Sequence, residues 1–396
     1  MISVSEAHKI ISENCQALGV ISISIEDAFG YSTSSDIYSD VDLPHFDQSA
    51  MDGYAFLFQD FEKKQEIEII SEIPAGFDYS SEIVSGFGVR IFTGAKIPKG
   101  VDTIVIQEDA KLVGNKLQIE NKDIIKESNI RRKGSQIKKG ECAIPKGTKL
   151  TPPLIGFLAS MGIRSVNVHK KPKISIIVTG TELITADQER TVGKIYESNG
   201  ITLKTALRSI GITDISLFHV NDDENELKNT LKKALDNSDI ILLTGGISVG
   251  KYDFTYSAMK QLEIKELFYK VKQKPGKPLF FGKKENTAIF GLPGNPAAVI
   301  TCFYNYVFQA INIYSGNNSI FLKSLQLKTA SDYKKKIGLT TFLKANINNN
   351  KVIIHEGQES NILSSYLNSD CMVSLPEQTE EIYKNDLVEI LLFPNN

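Results

Sequence analysis

The chain has 396 residues, of which 41% are hydrophobic and 23% are charged, and its formal net charge is −2. This length allows about two to four domains, and the balanced composition excludes a disordered or fibrous chain. Proteins that bind nucleic acid by neutralising phosphates usually carry a clear basic excess, so the near-zero charge argues against that class.

Location and redox chemistry are also bounded by the sequence. No apolar run approaches the roughly 18 residues that cross a bilayer, and the first residues lack the basic and apolar regions of a secretory signal. The four cysteines lie far apart without a C-x-x-C pair, and the histidines lack the spacing of zinc ligands. We therefore expect a cytoplasmic protein without membrane contact, disulfides or catalytic zinc.

The N-terminal part of the chain changes in texture twice. Its first 47 residues begin with a predicted helix that runs from a Ser3 or Ser5 cap to Leu18. Short apolar runs punctuated by glycines follow over 48–130 and are typical of a compact β-rich module. A basic run then precedes a second predicted helix, which opens at Pro152.

The C-terminal half divides into an alternating part and a strand-rich part. Over 172–316, predicted strands alternate with helices: strands at 174–178, 215–220 and 240–243, helices at 201–210 and 222–235. Buried strands alternating with helices indicate a parallel sheet covered on both faces. Short strands return over 317–396 and predict a small barrel or sandwich.

Three glycine-rich loops follow predicted strands of this sheet, at 179–182, 244–251 and 291–296. In parallel α/β sheets, ligands bind in the loops at the carboxyl ends of the strands. Glycines let the backbone approach a phosphate, and free N–H groups at a helix start supply donors. Asn295 followed by Pro296 predicts such a helix start.

Two common nucleotide-binding motifs are poorly supported. Gly245 to Lys251 satisfies the G-x-x-x-x-G-K part of a P-loop, but Tyr252 stands where the Mg²⁺-binding Ser or Thr is required. A G-x-G-x-x-G dinucleotide fingerprint is absent. We therefore set aside an ATPase and a Rossmann dehydrogenase.

Other segments are ambiguous when taken singly. The loop 270–278 could aim Lys274 and Lys277 at an anion, or be a solvated turn with lysines for solubility. Asp52-Gly53 is a common turn dipeptide, and Thr93-Gly94 ends a predicted strand. Each of these has a purely structural explanation as well as a functional one.

Taken in order along the chain, six motifs resolve this ambiguity. They are Met-Asp-Gly-Tyr-Ala at 51–55, Arg-Ile-Phe-Thr-Gly-Ala at 90–95, Asn-Ile-Arg-Arg-Lys-Gly at 129–134, Thr-Gly-Gly-Ile-Ser-Val-Gly at 244–250, Lys-Pro-Gly-Lys-Pro at 274–278 and Gly-Leu-Pro-Gly-Asn-Pro at 291–296. Over nearly its whole length, the chain resembles the MoeA family of molybdopterin molybdenumtransferases, to which the E domain of gephyrin is related.

The resemblance implies an elongated homodimer of multidomain α/β subunits, with a parallel-rich central sheet, a β-rich N-terminal module and a small C-terminal β-barrel. The expected domains are a discontinuous N-terminal domain over 1–47 and 131–171, an inserted β-rich domain over 48–130, a molybdopterin-binding α/β domain over 172–316 and a β-barrel over 317–396.

The resemblance also implies an activity. Members of the family insert molybdate into adenylylated molybdopterin and release AMP with Mg²⁺ present. Transient contacts are implied with the adenylyltransferase that supplies the substrate and with molybdoenzyme maturation proteins. Two alternatives stay open: a non-catalytic molybdopterin-binding scaffold, and a molybdopterin adenylyltransferase. The N-terminal half argues for insertion, and the absence of an added interaction module argues against a scaffold.

By position, the resemblance assigns site residues. Catalytic roles fall to Asp52, Thr93, Glu182, Asp223, Lys274 and Lys277, with Asp222 as an alternative to Asp223. Ligand binding falls to Gly245, Gly246, Ser248, Gly250, Pro275, Gly276, Pro293, Gly294 and Asn295. Asp253 is the expected Mg²⁺ ligand, with Glu182 as a second. The two lysines would hold phosphates or stabilise charge on departing AMP, and Asp52 and Thr93 would face the partner subunit.

Two positions depart from the family pattern. Gln136 stands where an acidic residue is usual, and Leu339 stands where an arginine commonly precedes a C-terminal strand. Lys344 is a candidate for supplying a positive charge nearby. Both changes alter the charge expected around an oxyanion site.

Overall fold

The structure is a computed structural model that describes residues 1–246 and 254–394. The chain divides into two compact units, which we call the smaller and the larger unit. The smaller unit comprises Asp36–Pro145 and Gly156–Arg164; the larger comprises Met1–Ser35, Lys146–Ile155 and the described chain from Ser165 onward. The finer division into four domains stays a prediction.

The smaller unit is built on a six-stranded mixed sheet. In spatial order its strands are Thr103–Ile106, Gly53–Phe56, Phe87–Ile91, Glu68–Ile73, Lys116–Ile119 and Ala110–Val113. Side chains alternate across the sheet: buried Ala55 packs on one face, and Tyr54 and Phe56 pack on the other. The β-rich texture predicted for this stretch is therefore present.

Shorter elements complete the smaller unit and the segments next to it. The strand Ile37–Tyr38 pairs with Cys142–Ile144, and Gln48–Ser49 pairs with Ile130–Arg131. The α-helices here are Phe58–Glu62 and Pro152–Ser160. The second of these begins at Pro152 as predicted.

The larger unit begins with the helix Val4–Asn14, and Ser3 is its cap. The Glu6 N–H donates to Ser3 Oγ at 3.2 Å, and the Ser3 N–H donates to Glu6 Oε2 at 2.7 Å, which is a capping box. The helix ends at Asn14, before the predicted Leu18: Cys15 has extended backbone, and the Leu18 N–H donates to the Tyr314 carbonyl. The following strand, Val20–Ser24, pairs with Ser165–His169.

A six-stranded sheet forms the centre of the larger unit. Its spatial order is Ile215–Val220, Ile174–Thr179, Ile240–Thr244, Thr287–Leu292, Phe280–Lys284 and Lys265–Tyr269. The first four strands are parallel, and Phe280–Lys284 pairs antiparallel with both of its neighbours. The predicted parallel sheet is therefore correct for the strands that carry the glycine loops, but the prediction missed the antiparallel strand Phe280–Lys284.

Both faces of the central sheet are covered. Ile176 and Leu242 face one apolar core, and Ile177 and Leu243 face another. The covering helices are Asn199–Ser209, Glu224–Asn237, Phe254–Gln261, Pro296–Cys302 and Phe308–Tyr314, with a π-helical turn at Phe303–Val307. The carboxyl ends of the parallel strands are therefore the place where this sheet can receive a ligand.

The C-terminal part forms the predicted barrel. Its strands, in spatial order, are Thr340–Asn348, Lys351–Ile354, Ser324–Thr329, Leu387–Leu392 and Cys371–Leu375, and the last pairs with the first. The short strand Gln273–Lys274 extends this sheet beside Thr340 and Thr341. The minor strand pairs are Leu183–Ile184 with Ile195–Tyr196, and Tyr333–Lys334 with Glu381–Ile382.

Across the described part of the chain, every helix is too short or too polar to cross a membrane.

Candidate active site

Buried polar side chains fix the backbone of the lysine loop, residues 270–278. Gln273 is fully buried, and its Nε2 donates to the Gly276 carbonyl at 2.9 Å. The Tyr306 hydroxyl donates to Gln273 Oε1, and the Val271 N–H donates to the Lys277 carbonyl at 3.0 Å. The backbone of the loop is therefore fixed, while the side chains of Lys274 and Lys277 are exposed.

A cavity of about 530 Å³, the lysine-loop cavity, opens beside this loop. Eight of the predicted site residues line it: Gly246, Lys274, Pro275, Gly276, Lys277, Pro293, Gly294 and Asn295. The sequence did not predict that the other lining residues, Gln273, Pro278, Ala298, Leu339 and Ser360, belong to this cavity. Its size is within the range of small-molecule sites.

The start of the helix Pro296–Cys302 is not free to bind a phosphate. The Ala297 and Ala298 N–H groups donate to the Ser360 carbonyl, at 3.0 and 3.3 Å. The Asn295 side chain makes no cap bond, and its Nδ2 donates to Ser360 Oγ at 2.7 Å. The expectation of free donors at this helix start is thus wrong, and Lys274 and Lys277 are the candidate anion-binding groups of the cavity.

Gly276 and Gly294, which both line this cavity, differ in what a side chain at each position would meet. Gly276 has φ +84°, and a β carbon there would lie 2.4 Å from Cys302 Sγ. Gly294 has ordinary φ, and a β carbon there would meet no atom within 4 Å. The fold therefore demands glycine only at Gly276, and the open space beside Gly294 is available to a ligand.

The alanine variants of these two glycines form a matched pair. Gly276→Ala is expected to lower the thermal unfolding midpoint by several degrees, because strain and a clash typically cost about 1–3 kcal/mol. Gly294→Ala should unfold within about 1 °C of wild type and weaken ligand binding, since its methyl group enters the cavity. Calorimetry and ligand titration check both; a ligand affinity unchanged in Gly294→Ala contradicts the assignment.

The glycine loop after Ile240–Thr244 packs closely against the neighbouring strand. Gly245 and Gly246 both have positive φ, and a β carbon on Gly245 would lie 2.2 Å from the Thr179 carbonyl oxygen. The Asn199 amide Nδ2 donates to Thr244 Oγ1 at 3.0 Å and to the Gly294 carbonyl at 2.8 Å. Asn199, which no motif indicated, thus ties two ligand loops together.

Carboxylates lie on neighbouring loops at the same sheet edge. Asp222 Oδ2 accepts from the N–H and the hydroxyl of Thr181, both at 3.2 Å. Asp223 Oδ1 accepts from the Glu226 N–H at 2.7 Å and caps the helix Glu224–Asn237. Glu182 is exposed beside Thr181. The Asp223 side chain therefore caps a helix, whereas the Asp222 side chain is hydrogen-bonded to the loop that carries Glu182.

Asp52 and Thr93 come together in the smaller unit. Asp52 Oδ1 accepts from the Thr93 N–H and from Thr93 Oγ1, both at 2.8 Å. These bonds lower the pKa of the Asp52 carboxyl, so that it stays ionised at neutral pH. The neighbouring Gly53 is needed by the sheet, since a β carbon there would lie 2.0 Å from the Val105 carbonyl oxygen.

Three predicted site residues, Ser248, Gly250 and Asp253, lie outside the described residues. Within the described ranges, no group of three or more His, Cys, Asp or Glu side chains could by itself hold a metal ion.

Three family models match this chain. The one described as "MoeA N-terminal region (domain I and II)" matches residues 2–162, "Probable molybdopterin binding domain" matches 175–312, and "MoeA C-terminal region (domain IV)" matches 326–393. A Staphylococcus epidermidis protein named molybdopterin molybdenumtransferase is 30% identical over 410 aligned positions, covering 100% of this chain and 96% of that protein. This chain belongs to the MoeA family.

Further MoeA relatives align over nearly the whole chain. The molybdopterin molybdenumtransferase of Haemophilus influenzae is 31% identical, across 93% of this chain and 92% of that protein. The crystal structure of molybdopterin biosynthesis moeA protein from Pyrococcus horikoshii OT3 matches with a TM-score of 0.85 at 30% identity, covering 99% and 100% of the two chains. The resemblance drawn from six motifs and the predicted fold class are both confirmed.

The structure shows the surroundings of the two residues that depart from the MoeA pattern, and of Lys344. Gln136 is exposed, and its N–H donates to the Leu43 carbonyl at 2.9 Å. Leu339 lines the lysine-loop cavity. Lys344 is buried, and its Nζ donates to the carbonyls of Gly357 at 2.9 Å and Glu359 at 3.2 Å. The Lys344 ammonium group therefore holds the turn that carries Ser360 and adds no lining to the cavity.

The basic motif at 129–134 is largely committed to the fold of this MoeA chain. Arg132 Nη1 contacts Asp47 Oδ2 at 2.5 Å, and Nη2 contacts Glu127 Oε1 at 2.5 Å. These two carboxylates raise the pKa of Arg132. The guanidinium group thus joins segments of the smaller unit.

Proposed function

We propose that this chain inserts molybdate into adenylylated molybdopterin and releases AMP. The chain is a transferase of molybdenum cofactor biosynthesis. Its substrates are related to molybdopterin and molybdate. The lysine-loop cavity carries the proposal. Two exposed lysines line it on a loop whose backbone Gln273 fixes, next to the loops at the carboxyl ends of the parallel strands. A phosphoanhydride is polyanionic, and this arrangement suits it.

The two lysines supply the electrostatic part of the reaction. Gln273 fixes the backbone from which Lys274 and Lys277 project, and their ammonium groups would stabilise the charge that develops on AMP. The open side of Gly294 lets the ligand approach the backbone closely. The loop of Gly245 and Gly246 would hold the remaining part of the ligand.

Asp52 and Thr93 are assigned to the site of the partner subunit in a homodimer. The ionised Asp52 carboxylate, oriented by two bonds from Thr93, is suited to accept a proton or to orient water at the reacting centre. Both the dimer and this role are part of the proposal. The hydrogen bonds between Asp52 and Thr93 support the role of Asp52, and the dimer rests on the resemblance to the MoeA family.

The proposal assigns a Mg²⁺ ion to the carboxylates on the loops at this sheet edge. Mg²⁺ sites that act on phosphates commonly use one or two carboxylates, with the substrate completing the coordination. Glu182 and Asp222, on adjacent loops, would hold it together with Asp253, and the ion would neutralise charge on the phosphates. Lys274 and Lys277 would orient the phosphates of the same substrate.

The choice of substrates distinguishes the proposed activity from the two alternatives. With molybdopterin and Mg-ATP, we expect no adenylylated product above background; with adenylylated molybdopterin and molybdate, we expect AMP and finished cofactor. Formation of the adenylylated product from ATP would favour an adenylyltransferase. Tight binding of the adenylylated substrate without turnover, with tungstate also tried, would favour a scaffold.

A further inference from the structure

A second cavity of about 490 Å³, the barrel-face cavity, lies in the larger unit. No described residue lines both this cavity and the lysine-loop cavity. Its walls come from three elements: the first turns of the helix Val4–Asn14, the π-helical turn Phe303–Val307, and one face of the C-terminal barrel. Single-turn π segments are frequent at functional sites.

The barrel side of this cavity is a row of residues across three strands. Phe342 pairs with Ser374, and Ser374 pairs with Glu389, so all three side chains project from the same face. Thr340 and Leu391 lie two residues along their strands and share that face. The row places a carboxylate and an aromatic ring on one face of the barrel, with Ser374 between them.

His8 contributes an acceptor nitrogen from the opposite wall. Gln309 Nε2 donates to the His8 carbonyl and to Ser12 Oγ, so Gln309 Oε1 must accept from His8 Nδ1, at 2.7 Å. Burial lowers the pKa of His8, which favours the neutral ring at pH 7. In that tautomer Nε2 carries a lone pair, and the ring lines the cavity.

Asn305 is a second acceptor with an unused lone pair. Its side chain is only 6% exposed, and its Nδ2 donates to the Thr301 carbonyl at 3.1 Å. Within the described part of the chain, Asn305 Oδ1 has no hydrogen-bond partner, although Asn305 lines the cavity. Since Asn305 lines the cavity, its Oδ1 is available to accept a hydrogen bond from a ligand there.

The charge of the cavity is of one sign. Glu377 and Glu389 line it, and no described lysine or arginine does. The rings of Tyr304, Phe321 and Phe342 add flat apolar walls, which attract cations through their π faces. Carboxylates, neutral acceptors and aromatic faces together select a cation with several N–H donors.

We propose that the barrel-face cavity is a binding site for a small organic cation, of the amidinium or guanidinium class, attached to a flat apolar body. The planar N–H donors pair with Glu389 and with Asn305 Oδ1, and the apolar body lies against the aromatic rings. The site is independent of the molybdenum chemistry proposed above.

Three isosteric probes test the charge requirement on the full-length protein: benzamidine, benzamide and benzoate. Titration calorimetry, with ¹H NMR saturation transfer as a second readout, is expected to detect benzamidine only. Glu389→Gln and Asn305→Leu should each weaken benzamidine binding by about tenfold or more. Glu62→Gln, which removes an exposed carboxylate of the smaller unit, is the matched control and should leave the affinity unchanged.

The outcomes separate cleanly. Binding of benzamide or benzoate as tightly as benzamidine would overturn the proposal, as would undetectable benzamidine binding at millimolar concentration. Equal affinities in wild type and Glu389→Gln would also overturn it. Because Glu389 is exposed at a barrel strand, its glutamine variant should fold normally, and circular dichroism verifies this for both variants.

Discussion

Replacing Lys274 with alanine is expected to lower the rate of molybdate-dependent AMP release by about 100-fold or more. Removing one preorganised group that stabilises developing charge typically costs about 10²–10³ in rate. Lys274 is exposed in the lysine-loop cavity, yet its backbone pairs with Thr341 and is followed by a loop that Gln273 fixes. The backbone from which this charged side chain projects is therefore held in place without help from the ligand.

The control for Lys274→Ala lies two residues away. Lys272 belongs to the same loop but does not line the cavity, so Lys272→Ala removes one charge of the same sign and should keep at least half of the wild-type rate. Single-turnover AMP release by chromatography measures both. Equal losses in the two variants would mean that the effect comes from overall charge, and the assignment of Lys274 would fail.

Asp52→Asn is the second substitution with a large expected effect, about 100-fold on the same rate, since positioned acid–base groups contribute about 10²–10⁴. An asparagine Oδ1 can still accept from the Thr93 N–H and hydroxyl, as Asp52 Oδ1 does at 2.8 Å. The turn should therefore survive, and the loss isolates the negative charge.

Thr93→Val separates the role of orientation from the role of charge. Loss of the hydroxyl bond should raise the pKa of Asp52 toward its ordinary value, while the carboxylate stays ionised at neutral pH. We expect a smaller loss, of about tenfold, with an unchanged melting profile. If Asp52→Asn retains the full rate, the Asp52–Thr93 pair only fixes the turn, and its catalytic assignment is wrong.

The central sheet could be predicted because its strands are continuous apolar runs. Ile174–Thr179 and Ile240–Thr244 are buried along their whole length, which is the pattern of strands covered on both faces. The antiparallel strand Phe280–Lys284 carries two lysines and a glycine, so its pattern does not indicate a strand. The helix Val4–Asn14 is shorter than predicted, since Cys15 is extended and Leu18 bonds to the distant Tyr314 and not within a helix.

The candidate site could be predicted only where it is local in sequence. Lys274, Gly276 and Gly294 belong to short motifs, whereas Ser360 reaches the cavity from the barrel region and follows no motif. Asn199 likewise acts through bonds to Thr244 and Gly294, which are distant along the chain. Such contacts are set by tertiary packing, which spacing along one sequence does not encode.

The most direct test of the central claim is AMP release from adenylylated molybdopterin with Mg²⁺, measured with and without molybdate. The account predicts that AMP appears only when molybdate is present, with about one molybdenum bound in finished cofactor per AMP released. AMP release at the same rate without molybdate, or no release at all with wild-type protein, would contradict it.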